Sequence, residues 1–407
     1  MSLRILYITQ YFPPETNAPA NRVSELSRCW ANWGNEVKVI TAFPSHPYGI
    51  VPEKYRGRFF LRRECDGVTV LRTPHYIAAN RGFGKRVISF LSFMFSATVT
   101  GWLASRRGDI VIATSPQFFT AVAGYVISRL RGIPFVFEVR DIWPEEVAAV
   151  GMMKRGLIFR LLESLEMFLY RQATLVVVVA QGSIEILVSR GVDRKKLKWV
   201  PNGVDLELFR PGTKENWVRS KYDLNGKFVV SYIGTHGMAQ KLETILEAAK
   251  SLRDQRDLAF LFVGDGTEKE ALVHRRGAWG LDNVLFVHQQ PHHLIPDFLA
   301  ASDVCVVPLR KAELFMKNIP SKIYEIMACE RPVIIGAEGE SRSLVQRANA
   351  GIGYPPEGHK ELSRCIMRLC SDSELLNTSG KNGLRFVRTS CSWNRCAGDY
   401  LSVLGEI

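Results

Sequence analysis

Eleven short runs rich in β-branched and aromatic residues recur along the chain, and each is followed by a stretch with helical spacing of its apolar residues. In the first half they are RILYITQYF (4–12), EVKVITAF (36–43), DIVIATS (109–115), PFVFEVRD (134–141), TLVVVVA (174–180) and LKWVPNG (197–203). In the second half they are KFVVSYIG (227–234), LAFLFVGDG (258–266), NVLFVHQ (283–289), DVCVVPL (303–309) and RPVIIGA (331–337). Strands this uniformly apolar are buried on both faces, as in parallel sheets. Alternation with helices then gives two βαβ series and an α/β chain of two doubly wound, Rossmann-like domains. Open sheets of this kind bind ligands at the carboxyl ends of their strands, so two domains facing a cleft suit the joining of two substrates, one per domain. The Pro- and Gly-rich segment PNGVDLELFRPG (201–212) marks the boundary, which we place between an N-terminal domain, 1–203, and a C-terminal domain, 204–385. The pattern alone does not assign the last helix, near SWNRCAGDYLSVLGEI (392–407), to either domain.

Length and composition fit this reading: 407 residues, 46% hydrophobic and 23% charged, leave room for two domains of roughly 200 residues each. The eight cysteines have no C-x2-C pair and no clustered histidines, so they read as reduced thiols of a cytoplasmic protein rather than zinc ligands. The start, MSLRILYITQYF, lacks the long apolar core of a secretory signal. Residues 1–200 hold 27 Lys/Arg against 15 Asp/Glu, a balance of +12, whereas residues 201–407 hold 26 against 25, a balance of +1. A basic half suggests a polyanionic partner, either nucleic acid or an anionic membrane face. Residues 87–104, VISFLSFMFSATVTGWLA, are uncharged and flanked by Lys85, Arg86, Arg106 and Arg107. A span is disfavoured, because the next strand must return to the same sheet. A buried core helix and a helix dipping into the membrane interface on its basic ends remain the two readings.

The segment NIPSKIYEIMA (318–328) carries the clearest chemical signal. Proline is favoured at the first helical position, and the free amides of a first turn attract anions. Ser321 adds a hydroxyl and Lys322 a point charge, while Glu325, one turn deeper, suits the vicinal hydroxyls of a ribose. A diphosphate beside a ribose is a nucleotide. The bland reading is a solvated helix start with a surface glutamate. Two further strand ends, IGTHGMAQK (233–241) and VGDG (263–266), shift the balance, because Gly234, Gly237, Gly264 and Gly266 permit close backbone approach to a ligand.

Taken with Pro201-Asn202-Gly203-Val204-Asp205, Phe209, Arg210 and Pro211, and with YFPPETNAPANR (11–22) and EVRDIWPEE (138–146), these motifs resemble family 4 glycosyltransferases, in the same order and over nearly the whole chain. The likeness is strongest to bacterial transferases of O-antigen, capsule and colanic-acid assembly, the WbuB-like N-acetylfucosamine transferase group among them. The resemblance implies a GT-B fold, a nucleotide-sugar donor in the C-terminal domain, an acceptor in the N-terminal domain, retention of anomeric configuration, and a final segment, 386–407, crossing back to the first domain. It implies donor contacts at Gly234, Lys241, Gly264, Asp265, Gly266, Pro320, Ser321, Lys322, Ile323 and Glu325. No strict D-x-D occurs, so no metal or cofactor is expected and the diphosphate charge falls to helix termini and cations.

The chain departs from the family pattern at three places. The first glutamate of the E-x7-E pair falls at Lys317. The Arg and Lys of the diphosphate clamp are not plainly present; Lys241 either fills that part or is a solvated helix-start charge. Arg140-Asp141 stand where the family often has a histidine. That pair is either a structural ion pair at the sheet edge or part of the active site, with Asp141 orienting or deprotonating the acceptor hydroxyl and Arg140 meeting leaving-group or acceptor phosphate. Glu145 and Glu146 read as first-turn helix carboxylates. Asn17 and Arg22 lie between the first strand and its helix, and His46 lies at the second strand end; all three are candidates for the acceptor side or for loop packing.

The expected activity is therefore a retaining transfer of a sugar, an N-acetylated deoxysugar by analogy, from a UDP-linked donor to a polyprenyl-diphosphate-linked saccharide at the inner face of the cytoplasmic membrane. One rival is a sugar-nucleotide epimerase or hydrolase of the same fold. The other is a basic nucleic-acid-binding protein, against which the dispersed Lys/Arg and the lack of an RNA-binding aromatic motif or zinc finger argue.

Overall fold

The computed structural model describes residues 2–407 except 16, 46–48, 78–82, 116–117, 144–155, 313–315 and 317–318. His46, Glu145, Glu146 and Lys317 thus lie outside the described residues. The chain divides into two compact units, Met1–Asn202 with Trp393–Ile407, and Gly203–Ser392.

The first unit runs β1 (Arg4–Ile8), α1 (Ala18–Asn32), β2 (Glu36–Ala42), β3 (Leu61–Cys65), β4 (Val68–Thr73), α2 (Phe83–Ala104), β5 (Ile110–Thr114), α3 (Phe119–Arg131), β6 (Phe135–Val139), α4 (Leu157–Gln172), β7 (Leu175–Val178), α5 (Gly182–Ser189) and β8 (Leu197–Trp199). Its sheet has the order β3-β4-β2-β1-β5-β6-β7-β8, parallel throughout except for the β3–β4 hairpin at one edge. The order reverses between β1 and β5, so the place where such a sheet takes ligands is the carboxyl end of that pair. α14 (Trp393–Leu404) closes the unit. Its Trp393, Cys396, Ala397, Tyr400 and Leu404 recur at helical spacing and join one buried core with Tyr7, Val23, Leu26 and Trp30. Trp30 donates its indole N–H to the Ala397 carbonyl at 3.0 Å, and its ring meets Tyr400 edge-on at 5.2 Å. The return begins at Trp393 rather than at 386, because the preceding helix runs unbroken to Ser390 within the second unit.

One charged pair lies inside this apolar layer. Glu138, in the middle of β6, accepts from the Tyr7 hydroxyl and the Thr114 hydroxyl on one oxygen, both at 2.8 Å, and from Arg22 Nε on the other at 2.9 Å. The Arg22 guanidinium also donates to the carbonyls of Val200 and Pro201 and to the Asn202 amide oxygen. Fully buried and fully partnered, it fastens the segment after β8 to the sheet. A ligand role for Arg22 is corrected on this ground: it has no surface to offer a substrate.

The second unit runs α6 (Trp217–Lys221), β9 (Phe228–Ile233), α7 (Glu243–Ser251), β10 (Leu258–Val263), α8 (Lys269–Ala278), β11 (Val284–Val287), α9 (Ile295–Ala301), β12 (Val304–Pro308), α10 (Lys322–Ala328), β13 (Val333–Gly336), α11 (Glu340–Arg347), β14 (Gly351–Gly353), α12 (His359–Ser371) and α13 (Ser373–Ser390). Its parallel sheet has the order β11-β10-β9-β12-β13-β14 and reverses between β9 and β12. Here too a fully buried arginine is saturated: Arg219 pairs with Asp303 at 2.7 Å and donates to the carbonyls of Ala301, Leu224 and Lys227.

α2 contains the uncharged stretch of residues 87–104 and is long and apolar enough by length and composition to cross a membrane, yet it connects β4 and β5 of one sheet and packs on α3. Phe93 and Ala97 are buried beneath it, whereas Ile88, Phe95, Val99, Trp102 and Leu103 face outward, Phe95 and Leu103 being 67% and 68% exposed. A fully buried core helix is therefore not what this segment forms.

Removing one partner of a buried ion pair leaves the other charged and desolvated, at a cost of about 3–5 kcal/mol. Arg22→Met should lower the melting temperature of the first unit by about 6–20 °C for a domain of this size. Arg22→Met/Glu138→Gln should recover part of that loss in the same calorimetric scan. An equal drop in both variants would show that the pair is not what holds the unit.

Candidate functional site

In the second unit, β9 and β12 end at the reversal of strand order, and the segments that follow them supply the signals read from the sequence. Gly234 follows β9, Gly264 follows the adjacent β10, and α10 follows β12. The two glycine segments touch backbone to backbone. A Cβ on Gly264 would stand 2.0 Å from the Gly234 carbonyl oxygen, and both residues have φ of +144°. Gly266 is equally closed, since its Cβ would stand 2.3 Å from the His236 carbonyl oxygen.

Under this contact lies Lys322. Its Nζ is 4.2 Å from the centre of the Tyr232 ring and donates to the Tyr232 hydroxyl at 3.0 Å, while that hydroxyl donates to the Thr235 carbonyl at 2.6 Å. A Cβ on Gly234 would come within 2.2 Å of the same nitrogen. Desolvation lowers the Lys322 ammonium to about 8, with Glu325 and Cys305 pulling the other way. The lysine is thus a partly desolvated cation lodged against a ring face, a setting in which an arriving anion counts for more than it would in water.

The rest of α10 differs from a helix start with free amides. Ile323 and Tyr324 donate their amides to the carbonyls of Pro320 and Ser321 at 3.1 and 3.0 Å, and Ser321 makes no side-chain cap. The amides of Ile323 and Tyr324 are thus taken within the turn, and the Ile323 side chain packs in the core. Pro320 and Ser321 stay partly exposed at the helix entry. Glu325 is half-buried one turn on, with His292 Nε2 3.9 Å from its carboxylate, and His292 meets the buried Phe209 edge-on at 5.3 Å.

Two expected donor contacts have protein partners of their own. Asp265 accepts from Lys269 Nζ at 2.8 Å and from the Gln289 amide at 2.7 Å. Burial alone would raise its carboxyl, but those hydrogen bonds outweigh it and hold the group below the usual range. Lys269 also donates to the Gly264 carbonyl, so Asp265 and Lys269 fix the loop rather than face outward from it. Lys241 takes a left-handed conformation, φ +46°, and pairs with Glu243 at 3.0 Å, while Glu243 also pairs with Arg275.

Sequence reasoning assigned no role to Tyr232 or to His236. The His236 backbone is fixed on both sides, donating to the Asp265 carbonyl at 3.0 Å and accepting from the Glu268 amide at 2.9 Å. Its ring is fully buried among Tyr232, Phe262 and Phe286, and desolvation lowers it to about 4. A polar residue after the strand was the available signal, but its burial was not.

In the first unit, the carboxyl ends of β1, β5 and β6 lie side by side and carry Gln10, Ser115 and Arg140. The Ser115 hydroxyl accepts the amides of Arg140 and Asp141 at 2.7 and 3.3 Å, which fixes the backbone of that pair. Arg140 is 8% exposed, and its Nε and Nη1 find no hydrogen-bond partner among the described residues. Burial disfavours the Arg140 charge, while the carboxylates of Asp141 and Glu138 favour it. Asn17 caps α1, accepting from the Ala20 amide at 3.0 Å, a structural duty that loop composition could have announced. Nearby, His75 Nε2 lies 3.2 Å from the Ser45 hydroxyl, and burial lowers this imidazole to about 4.

Comparison with known proteins falls on both units. A glycosyl transferase 4-like domain matches residues 17–203, and the glycosyl transferases group 1 model matches residues 214–386. A protein of Escherichia coli K12 named as a glycosyl transferase of colanic acid biosynthesis, WcaI, is 27% identical over 344 residues, 83% of this chain and 84% of its own length. An Escherichia coli enzyme named as a UDP-Gal:α-D-GlcNAc-diphosphoundecaprenol α-1,3-galactosyltransferase is 25% identical over 287 residues, 69% of this chain and 70% of its own. The crystal structure of Anabaena Alr3699/HepE in complex with UDP and glucose superposes over 100% of both chains with a TM-score of 0.76 at 16% identity.

The Lys322 setting has a measurable signature. In lysine-labelled protein, one ammonium should titrate near pH 8 by NMR, well below the remaining lysines, and the signal should vanish in Lys322→Met. The sign for stability follows. The folded value lies below the ordinary value of 10.5, so the unfolded chain holds more protons between about 8 and 10.5, and this residue's contribution to stability rises with pH across that window. A Lys322 resonance titrating with the others would show the ammonium to be fully solvated.

Proposed function

The chain belongs to the family 4 glycosyltransferases of GT-B fold, with a 4-like N-terminal domain and a group 1 C-terminal domain, and from that premise we propose the donor, acceptor and stereochemistry of its reaction. The donor is a UDP-sugar held by the second unit, with its diphosphate against Lys322 and the Gly234 and Gly264 segments and its ribose hydroxyls on Glu325. What supports this is the partly desolvated Lys322 ammonium beneath Gly234, at the strand reversal where sheets of this order take ligands. Anabaena HepE, of the same fold, binds UDP and glucose, and the galactosyltransferase relative is named for a UDP donor. An N-acetylated deoxysugar remains the preferred passenger.

The acceptor is a saccharide on a polyprenyl diphosphate. Support comes from the diphosphoundecaprenol acceptor in that relative's name and from the basic first half of the chain. The outward face of α2, with Phe95, Val99, Trp102 and Leu103 between Lys85 and Arg86 at one end and Arg106 and Arg107 at the other, suits an anionic lipid surface at the inner side of the cytoplasmic membrane.

In chemical terms the transfer proceeds with retention through an oxocarbenium-like state. The C1–O bond to the nucleotide breaks, and the acceptor hydroxyl attacks from the same face. The enzyme's part is to hold both substrates in line and to meet the negative charge that grows on the departing diphosphate. Lys322 supplies charge there without a metal. Asp141 orients the acceptor hydroxyl or takes its proton.

Thermal shift against UDP, GDP, dTDP and ADP tests the donor, since a ligand at 100 times its Kd adds about 2.7 kcal/mol. UDP should give the largest shift, and Lys322→Met together with Glu325→Ala should abolish it. Nucleotide release that needs the lipid-linked acceptor supports transfer, whereas equal release without it favours the hydrolase or epimerase reading. Silence toward all four nucleotides would overturn the donor assignment.

A further inference from the structure

The first unit contains a buried guanidinium, Arg140, two of whose nitrogens, Nε and Nη1, have no hydrogen-bond partner among the described residues. β6 carries Glu138, and Arg140 follows directly on its last residue, Val139. Glu138 favours the Arg140 charge, yet its hydrogen bonds go to Tyr7, Thr114 and Arg22. Arg22 adds a second positive charge to the same neighbourhood. A guanidinium remains charged in a protein, and burying one without a partner is strongly unfavourable. Arg22 and Arg219 differ: both are fully buried, and both donate to carboxylate and carbonyl oxygens. Arg140 instead sits at the carboxyl end of β6, next to the reversal between β1 and β5, on a backbone pinned by the Ser115 hydroxyl.

We propose that Arg140 is an anion seat belonging to the first unit, which receives the phosphoryl oxygens of the acceptor and is separate from the donor site at Lys322. The proposal rests on the reading of the acceptor as a diphosphate-linked saccharide. It adds which residue recognises that diphosphate, and it removes Arg140 from the donor's leaving group. Phosphate and guanidinium match in geometry, each phosphoryl group offering paired oxygens to a planar fork of N–H donors. A lysine in the same place would keep the charge and lose the fork.

Inorganic pyrophosphate and UDP, titrated into the full-length protein by calorimetry and 31P NMR, distinguish the two sources of diphosphate. Two pyrophosphate sites are expected, of which UDP displaces one. Arg140→Met should lose the site that UDP does not displace and keep the other, and Lys322→Met should do the reverse. Arg140→Lys should weaken the first site at least tenfold while leaving UDP affinity alone. Without ligand, Arg140→Met should melt no lower than the parent protein, because it removes an unpaired buried charge, whereas a structural arginine would lower the melting temperature. A single pyrophosphate site, a loss of UDP affinity in Arg140→Met, or pyrophosphate binding unchanged by Arg140→Met would each overturn the assignment. If UDP displaces neither site while Arg140→Met still loses one, the donor reading fails and the Arg140 seat stands.

Discussion

The second unit depends on two loops meeting backbone against backbone. Gly264 leaves no room for a Cβ over the Gly234 carbonyl, and Gly234 leaves none over the Lys322 ammonium. With side chains at either position, β9 and β10 could not end so close, and the lysine would be pushed off the Tyr232 ring. The charge at the site is therefore set by two absent methyl groups as much as by the lysine. The surrounding contacts follow from the same closeness. Asp265 and Lys269 tie the Gly264 segment to β11, and the Glu268 amide and Asp265 carbonyl hold the His236 backbone. A diphosphate would meet a loop whose conformation is already fixed, so less ordering opposes its binding.

Much of the architecture was legible because buried parallel strands leave an unmistakable trace. Each of the eleven apolar runs forms a strand, shorter than the run by a residue or more at one end or both. The excess includes Gly234, Gly264 and Arg140, which turn out to be loop positions of interest. The β3–β4 hairpin escaped because an exposed antiparallel edge strand, LRREC, carries no apolar run. Its turn was nonetheless written in the chain: Asp66-Gly67, with φ of +51° and +76°, is the Asp-Gly pair of a two-residue hairpin. β14, three residues long, was too short to register.

The site was legible by position and less so by role. Lys322 and Arg140 were named from their places after strands, but the Tyr232 ring that sets the first and the missing partner that marks the second depend on residues far away in sequence. Arg22 shows the converse. It occupies a loop-to-helix region that reads as a ligand contact, yet Glu138, 116 positions away, claims it. The clue lay in β6 itself. A glutamate inside the otherwise apolar FVFEV must find a buried cation, and the choice between Arg22 and Arg140 could be made only in three dimensions. Asn17 fell to the same ambiguity, since the side chains that cap helices are those that bind substrates.

Charge distribution gains meaning once individual arginines are separated by what they touch. Arg22 and Arg72 in the first unit are buried and donate to backbone carbonyls, so neither reaches out to touch a surface. Lys85 and the Arg106-Arg107 pair stand at the two ends of the outward apolar face of α2, where their charge is available to a surface. Part of the +12 balance in residues 1–200 sits beside exposed Phe95 and Leu103. Arg140 belongs to neither group. Enclosed like the first, but with two nitrogens that lack a hydrogen-bond partner among the described residues, it suits a small anion rather than a membrane, because only a group that can reach into the strand end can meet it.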